Sequence, residues 1–428
     1  MKIQGVHGRE VLDSRGNPTV EADVELSDGS VASAMVPSGL STGKREAREL
    51  RDTNQTRWSG MGVLGSVSKI NNQVRRSLVG TEAEVEKTDR LLIELDGTPD
   101  KSNLGGNAIL AVSLANARAI AASRKIPLHE LIGELSGVHE FSIPTPMVNI
   151  FSGGLHAAGT IEMQDFLVVP VGAATFHQAL EWVGSIYRAT RKLLRESGFP
   201  TLLADEGGFG PPLENNEQAL KLLQKSVSAA GLELGKEVGL AVDVASSHFF
   251  REGAYRLEGR ALRSSAMVGL FEGWIAEYPI ISLEDGCAED DWEGWTGLTS
   301  TLGKKVQLIG DDLFATNPGL IEVGKAKGAA NAVLIKPNQI GTLSETLESI
   351  RVCRKIGYAT VISARSGDTE DPLIADLAVG TSAGQIKIGS LARSERTAKY
   401  NQLLRLEEQL NGRAPYSGSQ PFPFLRKS

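Results

Sequence analysis

Along residues 19–36, TVEADVELSDGSVASAMV, apolar and polar side chains alternate with a period of two on both sides of Asp28-Gly29. That pattern predicts two antiparallel strands joined by a tight turn. Helical patterns follow, the longest being NAILAVSLANARAIAASR over 107–124. Residues 1–138 therefore read as an α+β domain. A proline-punctuated connector, SIPTPMVNI, starts at Ser142, and beyond it the character changes. Short apolar runs (LAVDV, IISLED, VQLIGDD, AVLIK, ATVISAR and QIKIG) alternate with amphipathic stretches of helical period. Such repeated β/α units predict a parallel sheet. Their spacing favours a TIM-like (β/α)8 barrel over residues 139–428, with a doubly wound open sheet as the alternative.

Each run ends in a charged residue or is closely followed by one: Asp243, Glu284, Asp311, Lys336, Arg365 and Lys387, at gaps of roughly 22 to 41 residues. In a barrel the C-terminal tips of the strands converge on one mouth, where such folds carry their chemistry. Asp243, Glu284 and Asp311 would crowd three carboxylates there, and Asp205 and Glu206 of LLADEGGFG could add two more. Crowded carboxylates raise one another's pKa, and a hard divalent cation relieves the repulsion. An all-oxygen ligand set suits Mg²⁺ better than Zn²⁺. One acid at such a tip is as readily a helix N-cap or an Asx turn; three in successive units favour the metal.

Lys336 ends an apolar strand, where an ammonium is costly to desolvate, and taken alone it would snorkel into water. Beside Mg²⁺ and Lys387 its pKa is expected to fall, and a neutral lysine can act as a general base. Arg365-Ser366-Gly367 offers a guanidinium fork, a hydroxyl and a turn amide, which suit a phosphate or carboxylate. A base of this kind could take a proton α to a carboxylate, with divalent cations stabilising the enolate. Glu206 is the candidate general acid for a leaving hydroxide, with the two following glycines letting a ligand come close.

The chain has 428 residues, of which 41% are hydrophobic and 23% charged, an ordinary globular composition with room for more than one domain. A net charge of −7 leaves no basic footprint for nucleic acid or an anionic membrane. The expected partner is a small anionic phosphorylated substrate. No apolar run approaches the roughly 20 residues of a membrane span. MKIQGVHGREVLDSRG lacks a signal-peptide core. Cys287 and Cys353 are too few for a disulfide framework, which points to a reducing compartment, the cytoplasm. GMGVLG at Gly60–Gly65 fits a dinucleotide fingerprint, but it follows the polar stretch RDTNQTRWS rather than a strand, and no such site is expected.

RGNPTVE, PSGLSTG, GGNAILAVSLA, ADEGGFGP, VDVASS, LEDGCAEDDWEGW, GDDLFATN, IKPNQIGTLSET and LARSERTAKYNQLLRLEE together resemble enolase (phosphopyruvate hydratase) segments along nearly the whole chain. A lysine base with one or two Mg²⁺ ions is the arrangement known for that superfamily. The resemblance implies an N-terminal α+β cap on an eight-stranded barrel whose first units are irregular. It also implies conversion of 2-phosphoglycerate to phosphoenolpyruvate with two Mg²⁺ ions, and a homodimer. Asp243, Glu284 and Asp311 would hold the tight Mg²⁺, and Ser41, in a closing loop, the second. Lys336 would take the C2 proton and Glu206 would protonate the departing C3 hydroxide. Arg365 and Ser366 would grip the phosphate and Lys387 the substrate carboxylate. His156, Gln164 and Asp165 would complete the substrate side.

The chain departs from the family pattern around the acid and the lids. Ala364 stands for His, Asp165 for Glu, Ser152 for Asn, Leu155 for Ser, Leu40 for Ala, His248 for Glu and Pro337 for Val. Shortening Glu to Asp at 165 is expected to withdraw a carboxylate from hydrogen-bond range. Three readings follow: a working enolase that has drifted; an enolase-derived lyase for a related substrate, similar to the carboxyphosphonoenolpyruvate synthase of phosphinothricin biosynthesis; or a non-catalytic scaffold. Intact Lys336 and Glu206 argue against the last, because a buried base without a task costs stability.

Overall fold

The computed structural model describes residues 1–39 and 43–427, without the side chains of Arg426 and Lys427. Ser41 and Leu40 lie outside the described residues. The alternating segment forms the predicted hairpin. Strands β1 (Ile3–Leu12), β2 (Pro18–Leu26) and β3 (Val31–Met35) make an antiparallel sheet in the order β1-β2-β3. At the β2–β3 turn Gly29 takes a φ of 86°, and Asp28 accepts a hydrogen bond from the Ser30 amide at 3.0 Å. Val20, Ala22, Val24 and Leu26 line the buried face of β2. That face covers the helix Gly106–Arg124, which is alanine-rich and buried along most of its length, so the sheet and its neighbours can approach it closely.

Eight strands close into a barrel: β4 (Thr145–Ser152), β5 (Asp165–Val169), β6 (Gly239–Asp243), β10 (Ile280–Glu284), β11 (Gln307–Gly310), β12 (Ala332–Ile335), β13 (Ala359–Ser363) and β14 (Gln385–Gly389). β14 pairs with β4, so the open-sheet alternative is excluded. The first units are irregular: β5 runs antiparallel to both β4 and β6, whereas the other neighbours are parallel. Between β6 and β10 a small meander intervenes, β7 (Phe250–Arg251), β8 (Ala254–Leu257) and β9 (Arg260–Leu262). Met147, Leu167, Ile281, Ile309, Leu334 and Val361 fill the barrel interior, and Phe422 of the C-terminal segment packs onto them. GMGVLG begins on the last residue of a 3-10 turn, Trp58–Gly60, and runs into a helix that starts at Leu64, with no strand immediately before it. Among the described residues no helix is long and apolar enough to cross a membrane.

Turn chemistry places the site. Lys336 follows β12 in an extended conformation, as the residue before a proline must, and Pro337 opens the short helix Pro337–Ile340. Thr342 then caps the helix Leu343–Ile356 by accepting from the Glu345 amide at 3.1 Å. Thr342→Ala is expected to lower stability by about 1 kcal/mol in denaturant unfolding while the barrel mouth stays intact.

Candidate active site

The barrel brings the predicted tips to one mouth. Glu284 and Asp243 are directly paired across β10 and β6, and Asp311 follows the adjacent β11. Lys387, from β14, reaches across and donates to Asp243 at 2.8 Å and to Glu284 at 2.7 Å. Lys336 donates to Asp311 at 2.5 Å. Gln339 donates to the other Asp311 oxygen at 2.8 Å and accepts from Thr316, which also receives the Lys336 amide. The three acids are thus split into two lysine-paired sets. Burial, reinforced by Asp243, pushes the Glu284 carboxyl well above its ordinary value. Burial pulls the Lys387 ammonium down, but Asp243 and Glu284 outweigh it and carry it up.

The expected fall in the Lys336 pKa belongs to a site that holds Mg²⁺; among the protein groups alone the direction is the opposite. Burial pulls the ammonium down, yet the Asp311 carboxylate outweighs it and the net direction is up. Asp311, in turn, is pushed up by burial and brought below its ordinary value chiefly by Lys336. The physical reason is that the acid expected to hold a cation is spending its charge on the lysine.

On the opposite side, Asp165 is completely buried behind His156 instead of lining the cavity. Its shorter side chain has not lost its partners. It accepts from the Asn149 amide, from Ser152 at 2.9 Å and pairs with His156 Nδ1 at 3.0 Å. Ser152 stands where its hydroxyl reaches the retracted carboxylate, so the two departures fit each other. His156 Nε2 lies 3.9 Å from Glu206. Burial pulls the imidazole down, but Asp165 and Glu206 carry its pKa up to about 9. The charged form therefore stabilises the fold fully below the unfolded value near 6.5, and that contribution is lost as pH rises through about 9. In chelator, the stability gap between the protein and His156→Gln is expected to shrink by about 2 kcal/mol from pH 7 to pH 10, read by urea unfolding.

The two glycines after Glu206 are required by the fold itself. A Cβ on Gly207 would stand 2.6 Å from the Ala392 carbonyl, and one on Gly208 would stand 2.8 Å from Asn149. They let the loop seat against the barrel, where the Glu206 carbonyl accepts from the Ser390 amide at 2.9 Å.

His156, Gln164, Glu206, Asp243, Lys336, Arg365, Ser366 and Lys387 all line one polar cavity of about 20 Å³, together with Ser363 and Ala364. Glu284 and Asp311 border it through their lysines. Gln164 donates to Asp243 at 3.0 Å, while its own buried Oε1 has no partner among the described residues. Arg365 donates to Glu46 of the cap at 2.7 Å. A larger cavity of about 430 Å³ runs along the seam between cap and barrel and meets this contact at Glu46 and Asn338.

Three participants were not read from the sequence. Glu46 reaches the mouth only through the docking of the cap. Gln339 sits one short helical turn after Lys336, a spacing that could have flagged it. Arg396, fully buried, donates to the Arg365 and Ser366 carbonyls at 2.6 and 2.7 Å and so fixes the turn that carries both residues.

The carboxylates fit a divalent cation: they are buried, crowded, and paired here with the ammonium groups of Lys336 and Lys387. Two tighter acid groupings, His156–Asp165–Glu206 and Asp285–Asp311–Asp312, suit it less well. Asp165 is already committed to His156, Ser152 and Asn149. Asp285 spends both oxygens on the Asp311 and Asp312 amides, at 2.9 Å each.

Fold and site together define a class: an α+β cap on a β/α barrel whose C-terminal mouth carries a carboxylate–lysine centre. Residues 140–423 match the family described as enolase, C-terminal TIM barrel domain, and residues 3–132 match enolase, N-terminal domain. The chain belongs to the enolase family.

Proposed function

We propose that the protein is a Mg²⁺-dependent lyase acting on 2-phosphoglycerate or a close phospho- or phosphonoglycerate analogue. Asp243, Glu284 and Asp311 would hold the cation, which supplies charge stabilisation to the substrate's carboxylate as the enolate forms. Lys336 accepts the C2 proton once Asp311 no longer requires its charge. Glu206, across the same cavity, gives its proton to the departing C3 hydroxide, which leaves as water. The C2–H electrons become the C2–C3 double bond, and the C3–O electrons leave with oxygen. Arg365 turns part of its fork from Glu46 to the substrate's phosphate, on a backbone held by Arg396. The Oε1 of Gln164, without a partner among the described residues, offers an acceptor to a substrate hydroxyl.

The observation that carries this reading is the convergence of Lys336 and Glu206 on one small cavity that also contains Arg365 and Lys387. Incubation with Mg²⁺ and 2-phosphoglycerate, followed by the ultraviolet absorbance of phosphoenolpyruvate, tests it. Mg²⁺-dependent formation of the enol phosphate is expected. Absence of both product formation and Mg²⁺ binding would instead favour a scaffold.

A further inference from the structure

A second, apolar hollow of about 30 Å³ adjoins the polar cavity, sharing Ser363 and Ala364 with it. Leu110 and Leu114 of the cap helix close it on one side, with Leu373 and Ile374 on another and Pro337, next to Lys336, on a third. Ala364 and Pro337 are two of the positions at which the chain departs from the family pattern. Polar side chains in the wall have their charges committed elsewhere. Lys399 donates to Asp368 at 2.8 Å and to the Thr369 carbonyl at 2.7 Å, and Asp371 pairs with Arg118 at 2.5 Å. Of the uncharged polar side chains in the wall, Ser363 donates to the Ala364 carbonyl at 3.0 Å and Asn338 accepts from Arg365 at 3.4 Å. A hollow of this size, walled mainly by Leu110, Leu114, Pro337, Ala364, Leu373 and Ile374, fits a methyl group.

We infer that the hollow beside Ala364 is a substrate subsite for a methyl-sized apolar substituent on the carbon that loses its hydroxyl. The inference rests on the proposed reaction for the orientation of the substrate. Phosphate on Arg365 and C2 at Lys336 leave the third carbon facing Ala364 and Glu206. The substrate class is therefore a 2-phospho-3-hydroxy acid branched at C3. The reaction is otherwise unchanged: the C2 proton goes to Lys336, the C3–O bond breaks, water leaves with the proton from Glu206, and the methyl group stays on the enol phosphate. Because the hollow lies on one side of the cavity, only one C3 epimer can use it.

The test compares 2-phosphoglycerate with both C3 epimers of 2-phospho-3-hydroxybutanoate on the Mg²⁺-loaded protein, by calorimetric affinity and by kcat/KM. One epimer is expected to bind and turn over roughly 10-fold or more better than 2-phosphoglycerate, the scale of one methylene in an apolar pocket. Leu114→Phe and, from another wall, Ile374→Phe are expected to abolish that preference, read as the ratio between the two ligands. Affinities for both epimers equal to or below that for 2-phosphoglycerate would overturn the inference, as would a ratio unmoved in a folded variant. A methyl preference in binding without turnover of any ligand would retain the subsite and refute the proposed reaction. Turnover without the preference would do the reverse.

Discussion

Lys336→Ala is expected to reduce kcat/KM on the preferred substrate by about 10²–10⁴-fold, the usual contribution of a positioned general base. The fall should appear in kcat more than in KM, because Arg365, Ser366 and Lys387 still hold the substrate. Mg²⁺ affinity should not weaken. Lys336 donates to Asp311 at 2.5 Å, so removing its ammonium frees an acid expected to ligate the ion. Calorimetric Mg²⁺ titration of the variant checks this. Weaker binding would mean that Lys336 organises the acids rather than serving as the base.

Asp165→Ala is expected to cost about 3–5 kcal/mol of stability, the scale of breaking a buried charge pair from one side. Asp165 is fully buried, and its loss would leave His156, Ser152 and Asn149 without their common acceptor. Urea unfolding at pH 7 reads the effect. Asp165→Glu, which returns the residue of the family pattern, is expected to destabilise by about 1–3 kcal/mol, because the extra methylene must fit where Ser152 already touches the carboxylate. Restoring Glu at this position alone should therefore not raise activity.

The contrast shows what the chain discloses before folding. The six tips from Asp243 to Lys387 were legible because each charge closes an apolar run, and period alone assigns those runs to strands. The first two barrel strands were not legible in that way: β4 and β5 are antiparallel neighbours without the β/α rhythm, and only the resemblance implied irregular first units. Lys336 and Glu206 were found as candidates, but not the protein groups around them, where pairing across the fold decides. The direction of the Lys336 shift depends on Asp311, 25 residues away in sequence, and the role of Gly208 depends on Asn149 and Ser152. The partners of Asp165 hide in a loop and an irregular strand. Glu46 acts from the cap, on an arginine more than 300 residues later, a distance no local pattern spans.

The central claim is that Lys336 removes a proton from the carbon beside a carboxylate. Its most direct measurement is the nuclear magnetic resonance signal of the C2 proton of 2-phosphoglycerate in heavy water, with Mg²⁺ and the unmodified protein. The account predicts loss of that signal, with or without dehydration, and its persistence when Lys336 is replaced by alanine. Persistence with the unmodified protein under conditions where both Mg²⁺ and substrate bind, or equal loss in the alanine variant, would contradict it.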